Sequence, residues 1–336
     1  MVQAGDMMLR KTLYLAIPIL LLAGCQGDPG SVIETVPEVE VPKVNTPSFN
    51  ADSAYSFVAD QVAFGPRVPG SEAHKACGDY LVDKLSSYGF EVLEQTGKVK
   101  AFNGRELPLR NIIAQHAPEK EKRILLFAHW DTRPFADRSD EHKDKPIDGA
   151  NDGGSGVGIL LEIARLLNEQ ATTVGVDIIF FDAEDYGQPS GTMLEDNIGS
   201  WCLGSQYWGK NPPIENYKAD FGILLDMAGA KNAVFPKEAI SMKYAPHIVN
   251  KVWRTAQKLG YQDRFLNVTR QYVGVDDHEY VNRLAGIPSI DIIEFDPQFG
   301  SFGSYWHTHE DNMDVIDQAT LKVVGQTVTE VVYQHH

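Results

Sequence analysis

A glycine-rich turn, a helix and a buried strand follow one another in residues 149–185, which read GANDGGSGVGILLEIARLLNEQATTVGVDIIFFDAED. Apolar residues recur at helical spacing from Gly156 to Leu167. The short, mostly apolar β-rich run from Val176 to Phe181 is typical of a strand buried on both faces, and acidic residues follow it directly. This order of turn, helix and strand predicts one unit of an α/β fold.

The same alternation of strands and helices continues on both sides of this unit. The other apolar runs and helical patterns predict strands at 111–114, 123–128, 221–225 and 287–293 and helices at 51–63, 71–89, 245–259 and 317–333. We therefore predict the α/β class, as a single α/β/α sandwich domain. Its central twisted sheet is expected to be mixed but mostly parallel, with helices on both faces.

Composition and charge exclude several classes of protein. The 336 residues are 43% hydrophobic and 23% charged, which excludes a disordered, collagen-like or coiled-coil chain. A formal net charge of −16 predicts no attraction to nucleic-acid phosphates, so we expect no nucleic-acid partner. Of the three cysteines, Cys77 and Cys202 fall within the predicted fold, either paired as a disulfide or as two separate buried thiols.

The amino-terminal segment has the pattern of an export signal. Arg10 and Lys11 precede an apolar run at 13–22, which is shorter than the roughly 20 residues that span a bilayer. This pattern predicts a signal peptide over residues 1–24. The run closes on Leu22-Ala23-Gly24-Cys25, which resembles the lipobox of bacterial lipoproteins and implies lipidation of Cys25. Ordinary cleavage beside an incidental cysteine is the alternative.

A tether is predicted between this signal and the folded domain. Residues 25–47 are rich in Pro, Glu and Val without a helical period, which favours a flexible, extended linker to a catalytic domain at 48–336. We expect a monomer in the bacterial cell envelope, anchored by lipid on the periplasmic side. Gln26 follows the cysteine, where inner-membrane lipoproteins carry Asp, so the outer membrane is favoured by analogy.

Candidate metal ligands follow the predicted strands. Ligands of open α/β sheets bind beyond the carboxyl ends of the strands, and zinc prefers imidazole nitrogen and carboxylate oxygen. Asp152, Asp185 and His307 can supply such a set, and Glu184 beside Asp185 is a candidate general base because neighbouring side chains point apart. Taken singly, Asp185 fits a helix cap, Asp152 a turn and His307 a surface histidine.

These segments resemble a known family. In chain order, the zinc aminopeptidase superfamily, which includes glutaminyl cyclases, has motifs similar to residues 129–131, 149–156, 181–185, 225–229 and 306–308. The resemblance spans about Phe49 to the carboxyl terminus. Asp276-Asp277-His278 resembles the cyclase Asp-Asp-His motif, and Trp306 stands where cyclases place an aromatic residue. Residues 65–70 and 201–208 are similar to the bacterial periplasmic, animal-type enzyme.

The resemblance implies a role for each matching residue. One zinc ion per chain is held by Asp152, Asp185 and His307, although Asp185 is shorter than the Glu that the family often has there. Glu184 is the general acid/base. The remaining residues act on the substrate: Asp226 and Asp276 bond each other and the reacting amine, and Trp306 and Phe302 line the pocket. The implied activity is conversion of an N-terminal glutamine of peptides or proteins to pyroglutamate, with release of ammonia.

Two other functions stay open at this point. In a zinc aminopeptidase, His129 and Asp226 bind a second metal ion, so the number of metals separates the two enzymes. A non-catalytic peptide- or metal-binding lipoprotein is the third possibility, but binding does not require an acid next to a metal ligand. Arg133 and the charged segment Asp137 to Asp144 predict a mobile surface loop.

Overall fold

The computed structural model describes residues 45–189 and 198–336. Cys25, the predicted signal peptide and most of the predicted tether lie outside these residues, so the statements about them stay predictions. None of the described helices is both long and apolar enough to cross a membrane. The first described residues already contact the domain, because Gln326 donates to the carbonyl oxygen of Pro47 over 3.1 Å and accepts from the Phe49 amide over 2.9 Å.

The central sheet has six strands in the order β1-β2-β4-β3-β5-β8. The strands β3, β4, β5 and β8 run parallel, whereas β1 and β2 pair antiparallel at one edge. A separate parallel pair consists of β6 and β7. The strand bounds are β1 Glu91–Lys100, β2 Glu106–His116, β3 Arg123–His129, β4 Gly175–Phe181, β5 Phe221–Asp226, β6 Phe235–Glu238, β7 Phe265–Arg270 and β8 Ser289–Ile293.

Helices connect the strands and cover the sheet. Ser71 caps the second of these helices, since its hydroxyl accepts from the amide of His74 over 3.1 Å at the start of α2. A five-residue π-helix continues α7 over Val281–Ala285. The α-helix bounds are α1 Ala51–Ala63, α2 Glu72–Ser87, α3 Gly154–Glu169, α4 Leu203–Lys210, α5 Ala239–Tyr244, α6 Pro246–Lys258, α7 Asp277–Tyr280 and α8 Gln318–Tyr333.

Alternating side chains of β3 divide the core into two layers. Ile124, Leu126 and Ala128 belong to the cluster that includes buried residues of α1, α3 and α8. Leu125 and Phe127 point the other way, into the cluster that includes residues of α4. Because both faces of the strand are buried, its sequence is apolar from Ile124 to Ala128. The predicted α/β/α sandwich with a mixed, mostly parallel sheet is therefore confirmed.

Parallel pairing places the carboxyl ends of four strands at one edge of the sheet. His129 at the end of β3 lies opposite Phe181 at the end of β4, and Asp226 at the end of β5 lies opposite Ile293 at the end of β8. The loops that follow these strands therefore leave the sheet side by side. This register brings together side chains that are far apart in the sequence.

The two cysteines among the described residues do not form a disulfide. Cys77 and Cys202 are both buried and free, so they are two separate thiols and not a disulfide. Cys77 packs in the apolar core beside Leu81 of α2. Cys202 immediately precedes α4, at the edge of the sheet where the strand ends meet.

Candidate active site

Carboxylates and imidazoles converge at the carboxyl-terminal edge of the sheet. His129 and Asp226 end their strands, Asp185 follows β4, Asp152 precedes α3, and His307 comes from the long loop after β8. All five are buried, with at most 7% of each residue exposed. The structure thus gathers the side chains that the sequence placed at separate strand ends.

The first group of candidate ligands is Asp152, Asp185 and His307. His307 Nε2 lies 3.3 Å from Asp185 Oδ1 and 3.7 Å from Asp152 Oδ2. Asp152 Oδ2 and Asp185 Oδ2 are both buried without a hydrogen-bond partner. Buried carboxylate oxygens without donors are costly unless a cation satisfies them. One nitrogen and two carboxylates fit a zinc site with three protein ligands and one open position.

A second group shares Asp152 with the first. His129 Nε2 lies 3.1 Å from Asp152 Oδ1 and 3.2 Å from Asp226 Oδ1. Burial disfavours the charged form of His129, but the neighbouring carboxylates of Asp131, Asp152 and Asp226 outweigh it and raise its pKa well above the ordinary value. The same three side chains can therefore share a proton or hold a second metal ion.

Buried polar contacts hold the turn that carries Asp152. The fully buried guanidinium of Arg67 donates to the carbonyl oxygens of Asp148 and Gly149 over 2.5 and 2.7 Å. The Asp311 carboxylate accepts from the amides of Asn151 and Asp152 over 2.8 and 3.0 Å. These bonds fix the backbone that leads into the ligand, from Asp148 to the Asp152 amide, so its carboxylate is preorganised for a cation.

The loop after β4 turns Glu184 and Asp185 in different directions. Ala183 has a φ of +54°, a left-handed conformation that is costly for a residue with a Cβ. The buried Asp131 carboxylate compensates by accepting from the amides of Glu184 and Asp185 over 3.0 and 3.2 Å. Asp185 consequently contacts His307, while the Glu184 carboxyl lines the adjacent pocket.

Glu184, Asp226 and Asp276 form an acidic wall of this pocket. Burial raises the pKa of Glu184 well above its ordinary value, and the nearby charges of Asp185 and Asp276 add to the increase. The pKa of Asp276 is also raised well above its ordinary value, first by burial and then by Asp226. At neutral pH these carboxyls therefore retain protons more readily than exposed acids, which suits proton transfer.

Aromatic rings form the other walls of a cavity of about 310 Å³. Trp306 lies 3.9 Å from the His307 ring and 4.6 Å from Phe302, measured between ring centroids. The Trp201 ring also stacks on the His307 ring, with 5.8 Å between the ring centroids. The guanidinium of Arg138 lies 4.0 Å from the centroid of the Trp306 ring. The structure therefore places Trp306 and Phe302 where the sequence predicted a pocket lining.

The prediction of a surface loop at Arg133 is wrong. Its guanidinium is fully buried, donating to the Asp185 carbonyl and carboxylate over 3.0 and 3.2 Å and to Asp137 over 2.6 Å. The same Asp137 oxygen lies 3.5 Å from His307 Nδ1. Burial penalises the Asp137 carboxylate, but the bonds to His307 and Arg133 outweigh this and lower its pKa. Within the predicted loop, the largely exposed residues are 138–144.

Sequence reasoning missed Arg133, Asp137 and Cys202 as parts of this site. Charged residues crowd the segment after Arg133, which hides one buried cation among exposed neighbours. The signal available was position, because Arg133 lies two residues after the His129-Trp130-Asp131 motif. Cys202 gave a weaker signal, since a lone cysteine is more often an inert core residue.

Comparison with protein families places the chain among zinc peptidases and their relatives. The model of peptidase family M28 matches residues 111–332. An aminopeptidase, YwaD of Bacillus subtilis, is 28% identical over 247 residues, which cover 72% of this chain and 47% of the relative. The chain therefore spans about half the length of that protein.

Solved structures give closer matches over nearly the whole described chain. A Zn-dependent exopeptidase from Parabacteroides distasonis is 54% identical, with a TM-score of 0.84, and the match covers 87% of this chain and 100% of that one. Glutaminyl cyclase from Bacteroides thetaiotaomicron, bound to N-acetylhistamine, is 53% identical, with a TM-score of 0.85 and the same coverage.

Proposed function

The chain belongs to peptidase family M28, and on that basis we propose that it is a zinc-dependent glutaminyl-peptide cyclotransferase. Its substrates are peptides and proteins with an N-terminal glutamine. The observation that carries the proposal is the third buried carboxyl, Asp276, which lines the same cavity as Glu184 and Asp226. Water-activating hydrolysis uses one such base, whereas cyclisation must also orient the substrate's own amine. The similarity to a glutaminyl cyclase supports the same conclusion.

The reaction forms one bond and breaks another within the same substrate residue. The α-amine attacks the side-chain carbonyl carbon, a five-membered lactam closes, and the carbon–nitrogen bond of the amide breaks to release ammonia. When bound by Asp152, Asp185 and His307, zinc supplies Lewis-acid polarisation of the carbonyl oxygen. Because nucleophile and carbonyl belong to one residue, the enzyme contributes mainly orientation and proton transfer.

Glu184 carries the proton between the two nitrogen atoms. It accepts a proton from the attacking amine and delivers it to the departing amide nitrogen, so the proton count balances without an added co-reactant. Burial prepares this role by raising its pKa, and a cation bound next to it lowers that value part of the way back. Asp226 and Asp276 hold the amine by accepting hydrogen bonds from it. Trp306 and Phe302 enclose the glutamine side chain and exclude water.

Substrate specificity tests the proposal directly. The full chain is loaded with zinc and incubated with a glutamine-initiated peptide or with the same peptide initiated by leucine, and the products are analysed by mass spectrometry. We expect the first peptide to lose ammonia and the second to stay intact. Release of a free amino acid from either peptide contradicts the proposal.

The second group of candidate ligands favours one other candidate, a two-metal aminopeptidase. His129, Asp152 and Asp226 bring ligand atoms within 4.8 Å of one another, as do Asp152, Asp185 and His307. We propose one zinc ion per chain. In place of a second ion, a proton on His129 is shared with Asp152 and Asp226. Metal analysis of the fully active chain tests this: two zinc ions together with hydrolysis of the leucine-initiated peptide support the aminopeptidase.

We further propose that the chain is a monomeric lipoprotein of the bacterial cell envelope, anchored through Cys25 and facing the periplasm. The support is the sequence Leu22-Ala23-Gly24-Cys25 after a short apolar run. Outer-membrane retention follows from Gln26 by analogy. Fractionation of cells that express Cys25→Ser tests the anchor, because this variant is expected in the soluble or uncleaved fraction. A Cys25→Ser chain that has lost residues 1–24 and still associates with the membrane like the unmodified chain contradicts lipidation at Cys25.

A further inference from the structure

Cys202 is bound to Glu184 at two points. The Cys202 amide donates to the carbonyl oxygen of Glu184 over 3.0 Å, and the thiol donates to Glu184 Oε1 over 3.1 Å. The next amide, that of Leu203, donates to the carbonyl oxygen of Ala183 over 3.1 Å. The turn at Cys202 and Leu203 thus lies beside the segment that carries the proposed acid/base. It donates hydrogen bonds to the backbone of that segment and to the Glu184 side chain.

The backbone of Cys202 is in a conformation that has to be maintained by its contacts. Its φ and ψ are +56° and +39°, in the left-handed region that glycine and asparagine adopt most readily. The residue is fully buried, with its carbonyl oxygen accepting from the Gln206 amide over 3.0 Å. Such strain persists where the surrounding contacts over-determine it, and it concentrates at functional sites.

We propose that Cys202 is a positioning residue, whose thiol anchors Oε1 of Glu184 and leaves the other carboxylate oxygen to exchange the proton with substrate. The inference rests on the proposed cyclase function for its kinetic consequences. Ligand atoms of Glu184, Cys202 and Asp276 all lie within 4.8 Å of one another, so the thiol lies beside both the acid/base and the amine-binding carboxyl. An anchored carboxylate has fewer orientations to lose when the reaction begins.

The thiol is suited to donate and not to react. Burial raises the pKa of Cys202 well above its ordinary value, and the nearby charges of Glu184 and Asp277 raise it further. The sulfur therefore keeps its proton at neutral pH. A protonated thiol is a weak donor, and a hydrogen bond to a charged acceptor is stronger than one to a neutral acceptor.

Two substitutions separate a donor from a residue that only fills space. Cys202→Ala removes the donor, whereas Cys202→Ser keeps one, and both residues bear the same left-handed backbone. We expect Cys202→Ala to lower kcat about tenfold with KM within about twofold, which corresponds to about 1.4 kcal/mol. Cys202→Ser is expected to recover kcat to within about threefold of the unmodified enzyme. A serine variant no better than the alanine variant overturns the proposal.

Cys77 provides the matched control, because it is the other buried free thiol and lies in the apolar core. Cys77→Ala and Cys77→Ser are expected to leave kcat unchanged, with serine the less stable of the two because its hydroxyl is buried among apolar side chains. Thermal unfolding of all four variants shows whether a loss of kcat follows a loss of fold. A kcat that falls for Cys77 as it does for Cys202 overturns the proposal.

A spectroscopic measurement tests the contact without any substrate. The infrared difference between the unmodified chain and Cys202→Ser isolates the S–H stretch of Cys202, which is expected at lower frequency than that of Cys77. At a pH high enough to ionise Glu184, the Cys202 band is expected to move to higher frequency in a Glu184→Gln background, because an amide accepts more weakly than a carboxylate. A band that does not move overturns the proposal. Failure of ammonia release with a shifting band instead contradicts the cyclase function alone.

Discussion

Asp137→Asn perturbs both ends of the candidate zinc site while nearly keeping the shape of the side chain. Asp137 Oδ1 accepts from Arg133 Nε over 2.6 Å and lies 3.5 Å from His307 Nδ1. Arg133 in turn donates to Asp185 over 3.2 Å. One carboxylate therefore orients two of the three proposed ligands, directly for His307 and through Arg133 for Asp185. The amide also leaves the buried guanidinium without its counter-charge.

The expected loss of zinc affinity can be estimated from these contacts. Replacing a partner of a ligating histidine typically lowers metal affinity about 10- to 100-fold. All three effects of Asp137→Asn act in that direction: His307 loses the carboxylate beside Nδ1, Asp185 is held less firmly, and the charge of Arg133 repels the cation. At a fixed saturating zinc concentration, the zinc-dependent part of the free energy of unfolding should fall by about 1.4–2.7 kcal/mol.

Competition against a chelator of known affinity measures the zinc dissociation constant, and urea unfolding with and without zinc measures the stabilisation. Asp140→Asn is the control, because it removes the same charge from an exposed residue of the same segment. We expect the control to bind zinc like the unmodified chain. The reasoning is refuted if Asp137→Asn binds zinc as tightly as Asp140→Asn, since the Asp137 contacts would then not orient the ligands.

Three further predictions concern the base, the pocket and the pH dependence of stability. Glu184→Gln should lower kcat for ammonia release by about 10²- to 10⁴-fold with zinc content unchanged; loss of zinc in this variant contradicts its assignment as the base. Trp306→Ala removes the ring beside His307 and Phe302 and should lower kcat/KM by about 100-fold in initial-rate measurements; an unchanged ratio argues against a closed pocket. Burial raises the pKa of Glu294 from 4.5 to about 7, so the folded state binds the extra proton and loses stability as the pH rises from about 4.5 through 7. In urea unfolding, the free energy of unfolding of Glu294→Gln should therefore fall less across this pH window than that of the unmodified chain, by at most about 3 kcal/mol. Equal slopes of unfolding free energy against pH for the two chains contradict the assignment.

The buried strands were predictable because a single physical cause fixes their sequence. β3, β4, β5 and β8 are covered on both faces, so most of their side chains are apolar and the pattern is local, although β4 also buries Asp177 and β8 buries Asp291. β1 has mostly exposed or half-buried residues, such as Glu91 and Lys98, and its position depends on pairing with β2. Its sequence carried no comparable signal, so the mixed sheet was predicted but the strand β1 itself was not.

The candidate ligands were predictable for a related reason. The residues that hold the site in place, such as Arg133 and Cys202, were not. Asp152, Asp185 and His307 stand next to apolar runs or glycine-rich turns, where a polar side chain is conspicuous. The burial of Arg133 depends on Asp185, which lies on another loop, so no local pattern distinguishes it from an exposed arginine. Cys202 likewise gains its significance from a contact with Glu184 across the same edge of the sheet.

The number of metal ions lies beyond local sequence patterns because a proton and a zinc ion compete for the same atoms. His129 Nε2 stands 3.1 Å from Asp152 and 3.2 Å from Asp226, separations that suit a hydrogen bond and also suit two ligands of one ion. On its other side, Nδ1 lies 3.6 Å from Asp131. Three carboxylates around one imidazole stabilise a proton on the ring, and the same carboxylates attract a metal cation. What favours one outcome is the charge of the whole pocket, in which Asp276 adds a carboxyl suited to an amine from the substrate. Substrate chemistry and metal count are therefore linked through the same acidic wall.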